Sequence, residues 1–230
     1  MRSWRWALFL AGAVACSDNT APEGTIILEA DFNQAAGWTA DFVDVPASQE
    51  PDVQFDAGTR TLPDNLGAGQ QGLYHAGTNI SDDLFMFFRK QVSGLEPGTA
   101  YQATFELTFA STAGAGCDVG PSSIWIKAGL SPQVPARTVD GSGNLRLTVD
   151  KGQQASDGAT ALNLGDIRNA VPGCPSGGTW GGKTLTSGGR SLTVTTTSDG
   201  KLWLYFGSES GFEIRHELYF LHLKATLTPR

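Results

Sequence analysis

The chain has 230 residues, with 16 lysines and arginines against 23 aspartates and glutamates, a formal charge of −7. That balance repels phosphate backbones and excludes nucleic acid as a partner. The 29 glycines and 11 prolines supply turns, and lysine and glutamate are too sparse for a helical protein.

Residues 1–15 open with Arg2 and Arg5 and continue into an uninterrupted run of apolar and small residues, Ala7 to Ala15. A basic stretch followed by a short apolar stretch reads as an export signal, too short to span a bilayer as a stable helix. Cys16 directly follows Ala13-Val14-Ala15. The segment therefore resembles a bacterial lipoprotein signal, whose last position is the cysteine that is lipidated. The resemblance implies cleavage before Cys16, acylation of Cys16 and a membrane anchor in the bacterial cell envelope. Several acyl chains anchor stably where one does not, and Ser17 in place of aspartate favours the outer membrane. Cleavage removes two arginines and no acid, which takes the charge from −7 to −9. Residues 16–24 read as the lipidated N-terminus and a tether, the eight polar, aperiodic residues 17–24 reaching roughly 26 Å if extended.

Residues 25–230 read as one β domain. Alternating faces run through residues 25–32 (Ile26, Leu28, Ala30 and Phe32), 100–110 (Tyr101, Ala103, Phe105, Leu107 and Phe109) and 145–149 (Leu145, Leu147 and Val149). The same period of two recurs in residues 191–197, 201–207 and 217–228, the signature of a half-buried strand. Leu84-Phe85-Met86-Phe87-Phe88 is apolar on both faces, as a strand covered on both sides is. Ser198-Asp199-Gly200 predicts a hairpin between its flanking strands. Residues 151–189 show no such pattern and read as a long irregular excursion, functional or pinned. Cys117 and Cys174 form an even pair in an exported domain and predict one disulfide, which would pin that excursion. About ten strands without helices to cover a parallel sheet give an all-β, antiparallel two-sheet sandwich, jelly roll being the first choice.

Four pieces of the body resemble secreted bacterial β-sandwich domains of the carbohydrate-binding-module kind. They are Gly37-Trp38-Thr39-Ala40-Asp41-Phe42, Ser81-Asp82-Asp83-Leu84-Phe85-Met86-Phe87, Gly94-Leu95-Glu96-Pro97-Gly98-Thr99-Ala100-Tyr101 and Gly207-Ser208-Glu209-Ser210-Gly211-Phe212-Glu213. The resemblance implies fold and brings no activity.

Candidate sites follow from what interrupts the polar faces. In residues 122–129, Ile124 and Ile126 share the core face and leave Trp125 beside Lys127; in 201–206, Trp203 and Tyr205 oppose Leu202, Leu204 and Phe206. Exposed rings of this kind stack on sugars, so Trp125, Lys127, Trp203 and Tyr205 are the ligand-binding candidates. The competing expectation is that residues 151–189 cover them as a second small core. Acidic residues at turns, Asp41 and Asp44, Asp82 and Asp83, Glu209 and Glu213, are weak candidates for a structural calcium, which takes six to eight oxygens. No other cofactor is expected. His216 and His222 lie roughly 20 Å apart on one strand and cannot share a metal, and His75 has no partner nearby in sequence. Arg215-His216-Glu217-Leu218 and Lys127-Ala128-Gly129 are similar to two motifs of jelly-roll alginate lyases, but in reversed order and without the third, Gln-x-His. The expected function is a non-catalytic, membrane-anchored recognition module with glycan as the leading ligand class. The alternative is a structural lipoprotein that contacts envelope proteins, with a polysaccharide lyase or glycosidase as a minor one.

Overall fold

The computed structural model describes residues 24–174 and 178–230. The signal segment, Cys16 and residues 17–23 of the tether lie outside the described residues.

Strands appear wherever apolar residues alternate. In chain order they are β1 (Ile26–Asp31), β2 (Thr39–Val43), β3 (Val45–Pro46), β4 (Asp56–Thr61) and β5 (Gln71–Thr78). β6 (Phe85–Val92), β7 (Ala100–Ser111), β8 (Ile124–Ser131), β9 (Arg137–Val139) and β10 (Asn144–Leu147) follow. The last are β11 (Ala161–Asp166), β12 (Gly181–Thr186), β13 (Leu192–Thr195), β14 (Leu202–Ser210) and β15 (Arg215–Pro229). The described helices are short turns, the only α-helical one being Asp64–Gly67.

The two main sheets are entirely antiparallel. One runs β12-β7-β15-β5-β4, with β1 also on β15 and β13 also on β7; the other runs β11-β8-β14-β6-β2. Within them β5-β15-β7-β12 faces β6-β14-β8-β11, and along these eight strands every step but β8 to β11 crosses from one sheet to the other. That interleaving is a jelly roll. Fifteen strands are described where about ten were expected, because edge additions and a third, three-stranded sheet (β3-β10-β9) extend the roll.

The core lies between the sheets. β7 contributes Tyr101, Ala103, Phe105, Leu107 and Phe109 from its inward face, as its alternation predicts, and β14 contributes Leu202, Leu204 and Phe206. Phe206 is the hub: its ring centroid lies 5.2 Å from Phe32, 5.0 Å from Trp38, 5.7 Å from Phe88 and 4.9 Å from Phe220. Aromatic pairs in such arrangements add about 0.5–1.5 kcal/mol each beyond area burial.

Two local expectations are corrected. Ser198-Asp199-Gly200 does make a tight turn, with Gly200 N–H donating to Thr197 C=O. It joins no hairpin, however: β13 pairs with β7 in one sheet and β14 with β6 and β8 in the other. Residues 151–189 are also less irregular than they read, since they hold β11 and β12, the edge strands of the roll. The Cys117–Cys174 disulfide is formed. It ties the loop after β7 to the connection between β11 and β12, where Ala115 N–H also donates to Val171 C=O and Asn169 N–H to Ala113 C=O.

Candidate functional site

The outer face of the β11-β8-β14-β6-β2 sheet is where the sequence places its ligand candidates. Strand register aligns them in rows: Asp41, Phe87, Gly207, Lys127 and Asn163 lie across the sheet, beside a second row of Val43, Phe85, Glu209, Trp125 and Asp166. The assignment of faces is therefore correct for Trp125, Lys127, Trp203 and Tyr205.

Their exposure is not as expected. Residues 145–160 lie over this face and form a second small core in which Val43, Phe85, Phe87, Ala161 and Tyr205 pack with Leu147 and Val149. Tyr205 is 0% exposed, and its hydroxyl shares a 2.7 Å hydrogen bond with Thr160 Oγ1. Lys127 is likewise 0% exposed, its ammonium donating to Ser156 C=O at 2.5 Å. The cover sits so close that a Cβ on Gly129 would meet the Thr160 carbonyl oxygen at 2.1 Å, so glycine is required there. Asp150 fastens it by accepting from Gly152 N–H and Ala159 N–H, both at 2.9 Å, and these bonds hold its carboxyl below the ordinary carboxylate range. Tyr205 and Lys127 are thus internal, not ligand contacts. The cover comes from residues 145–160, nearer the start of the predicted excursion than its Gly-rich part.

Trp203 and Trp125 remain half-buried. Trp203 stands at the end of the face remote from Glu209, with Gln91 directly across on β6 and Ser131 directly across on β8. Gln91 is exposed, and Ser131 Oγ accepts from Gln133 N–H. Diagonal to Trp203, Arg89 donates to Pro135 C=O. Trp203 and Trp125, with the exposed Gln91 beside the former, are the ring-bearing surface that this face still offers to solvent.

Under the cover, Glu209 is buried against two lysines. Its Oε1 lies 2.5 Å from Lys151 Nζ and its Oε2 3.3 Å from Lys127 Nζ. Lys151 also reaches Asp44 Oδ2 at 3.0 Å, and Arg146 lies 3.0 Å from Asp44 Oδ1. Burial alone lowers the affinity of Lys151 for its proton, but the Glu209 and Asp44 carboxylates outweigh burial and hold it above the ordinary lysine range. Lys127, with a smaller share of this field, is pulled below that range by burial.

Of the six acidic calcium candidates, this arrangement brings together Asp44, Asp83 and Glu209, with carboxylate oxygens within 4.8 Å of one another. Asp41 lies 3.7 Å from Arg137 instead, and Asp82 and Glu213 are exposed outside the cluster. The cluster does not fit calcium. Lys151 Nζ already sits among its oxygens, and a divalent ion there would meet that ammonium at contact distance. Asp83 is pushed up to about 6, chiefly by burial.

The sequence reading missed a second polar group. Ser208 Oγ lies 3.0 Å from His75 Nε2 and 2.9 Å from His216 Nε2, deep between the sheets. His216 shares the inward register of Leu218 and Phe220 on β15, so its alternation carried the signal, whereas the link to His75 needs the tertiary fold. His222 points elsewhere, to Glu29 at 2.8 Å. The two lyase-like motifs fall in opposite sheets: Lys127 on β8 and Arg215-His216-Glu217-Leu218 on β15.

No family model matches the chain, and no curated protein matches it. Among solved structures, the CBM22-1 xylan-binding domain of Paenibacillus barcinonensis Xyn10C is similar at 10% identity, covering 90% of this chain and 97% of that one, with a TM-score of 0.41. The K1 cleaved adhesin domain of Lys-gingipain from Porphyromonas gingivalis W83 is similar at 12% identity, over 87% and 97% of the two chains, with a TM-score of 0.39. The enzymatically active domain of bacteriophage CBA120 tailspike protein 4 is similar at 14% identity and a TM-score of 0.33; 81% of this chain spans 19% of that one. At these identities and scores the likeness brings no ligand or activity to this chain.

Proposed function

We propose that the chain is a non-catalytic recognition module, held at the bacterial envelope by a lipid on Cys16, with glycan as its ligand class. The observation that carries the reading is Trp203, half-buried on the outer sheet face between Gln91 and Ser131. An indole offers a flat apolar surface to a sugar ring, and the neighbouring amide offers hydrogen bonds to its hydroxyls. The non-catalytic reading rests on the charged groups. The clustered carboxylates, Asp44, Asp83 and Glu209, are met by Lys151, Lys127 and Arg146 beneath the cover. Paired carboxylates that hydrolyse a glycoside must instead flank its bond.

A second reading is a structural lipoprotein that docks on other envelope proteins, and the burial of Tyr205 and Lys127 favours it. A polysaccharide array separates the two. Saturable retention of wild-type protein on one polysaccharide class is the expected result; no saturable binding to any neutral or acidic polysaccharide leaves the structural reading. Anchoring is tested by cell fractionation. Wild type is expected in the membrane fraction with a mass shift on Cys16, and Cys16→Ser in the soluble fraction. Unacylated wild type in the soluble fraction overturns the anchor.

A further inference from the structure

β15 is paired unevenly at its start. Its residues 215–220 pair with β5, but pairing with β7 begins only at Tyr219 opposite Ala110. β7 ends at Ser111, and the chain turns away into the disulfide-bonded loop. In the notch lies a cavity of about 370 Å³, walled by Ala113, Ile124, Ile167, Ile214 and the Cys117–Cys174 bridge, with Arg215, His216 and Glu217 of β15 along one side. That volume is at the small end of the range for ligand pockets. The loops that carry the wall are apolar at their tips as well. Val119 is 77% exposed and Phe212 37%, and the two loops touch where a Cβ on Gly120 would meet the Phe212 ring at 2.8 Å.

Most polar side chains of the wall are spent. Ser111 Oγ donates to Ile167 C=O at 2.7 Å, and Glu217 accepts from the Tyr74 hydroxyl at 2.6 Å. His216 turns Nε2 to Ser208, and its Nδ1 is closed to solvent, so its ring nitrogens offer the cavity nothing. Arg215 differs. It is exposed, and its hydrogen bond to Gln54 C=O, at 3.2 Å, uses one guanidinium nitrogen. The rest of that five-donor fork is unspent, and Arg215 makes no ion pair among the described residues. Its charge lies close to the wall, since His216 is lowered to about 4 by burial first and by the Arg215 charge second.

We propose that this cavity binds a small carboxylate on an apolar body, the body lying in the notch and the carboxylate on the Arg215 guanidinium. A guanidinium presents its N–H groups in a plane that a carboxylate accepts bidentately, and it is more weakly hydrated than an ammonium. The aliphatic side chains and the disulfide give the body its contacts. Glu217, two residues along β15 on the same face, opposes an anion and keeps the affinity modest. This site is independent of the Trp203 face.

The test is ¹H–¹⁵N spectroscopy on the full chain at neutral pH, following the Arg215 Nε–H and the backbone amides of Ala113, Ile167 and Ile214. The probes are benzoate, benzamidinium, which has nearly the same shape and the opposite charge, and acetate, which has the carboxylate without the body. Benzoate should shift these signals saturably, with an apparent Kd of about millimolar for so few non-hydrogen atoms. Benzamidinium and acetate should not saturate over the same range. Arg215→Gln, a change at an exposed position, should weaken benzoate binding about tenfold or more. Glu217→Gln, whose amide oxygen can still accept from Tyr74, should strengthen it several-fold by removing a like charge. The proposal is contradicted by no saturable shift with benzoate, by an equal response to benzamidinium or acetate, by unchanged binding in Arg215→Gln, or by binding no stronger in folded Glu217→Gln.

Discussion

Glu209 meets two ammonium groups while fully buried, so its removal leaves two lysines facing each other in a low-dielectric interior. Breaking such a pair from one side typically costs about 3–5 kcal/mol, because the remaining charge is unmet. Glu209→Ala should lower stability by roughly that amount in urea denaturation, and Lys127→Met by less, since Lys151 still pairs with Glu209. A Glu209→Ala loss below about 1 kcal/mol would show that water reaches the cluster. The buried histidines set a second residue-scale expectation. Burial lowers His216 to about 4 and His75 well below its ordinary 6.5. Unfolded chains therefore bind protons that the fold refuses as pH drops below about 6.5, and stability falls by about 1.4 kcal/mol per pH unit for each ring. Asp83 acts in the opposite sense, because its folded value of about 6 lies above the unfolded 3.8. Two losses against one gain leave a net fall of roughly 1–3 kcal/mol between about pH 6.5 and 4.5. Urea midpoints across that window measure it; a flat or rising stability would contradict neutral, buried rings. Asp150 and Asp166, held below 3.8, contribute their losses at still lower pH.

At the scale of elements, the Cys117–Cys174 bridge closes a loop of 57 residues. The chain-entropy estimate for that length is roughly 4 kcal/mol. Because Asn169 and Ala115 already zip the two loops together, the double variant Cys117→Ala/Cys174→Ala should lose somewhat less, about 2–4 kcal/mol in chemical denaturation. A loss under about 1 kcal/mol would mean that the hydrogen bonds alone hold the loops. The same region marks where sequence reading stops. β7 and β15 were legible because each buries one face and exposes the other over many residues. In β11, Ala161, Leu162, Asn163 and Leu164 are all buried, since its outer face is covered, and a shift between Asn163 and Gly165 interrupts its register. Period two cannot survive either. The β13–β14 turn misled for a different reason: a tight turn fixes the reversal of the chain, not which sheet receives the next strand. Likewise the faces of Lys127 and Tyr205 were readable from alternation, while their burial depended on residues 145–160 lying across them.

For the whole molecule, the jelly roll has a small cluster of Leu62, Tyr74, Ala110 and Tyr219 with Trp180 on one outer face, and the other outer face is overlaid by a third, small sheet and its connections. Recognition, on our account, is confined to the end of that overlaid face where Trp203 emerges. The tether and Cys16 would hold this module within a few tens of ångströms of a membrane, a placement that the Cys16→Ser fractionation addresses independently. The central claim is that Trp203 contacts a glycan rather than only filling the fold. It is tested most directly by Trp203→Ala in titration calorimetry, against whichever polysaccharide the wild type retains, with thermal unfolding of the same preparations. A stacked ring contributes about 0.5–1.5 kcal/mol to binding, so affinity should fall by several-fold to about tenfold. A half-buried indole should cost only about 1–2 kcal/mol of stability, well below the 3–5 kcal/mol of a fully buried one. Unchanged affinity, or a stability loss of about 3–5 kcal/mol with no binding by the wild type, would contradict the account.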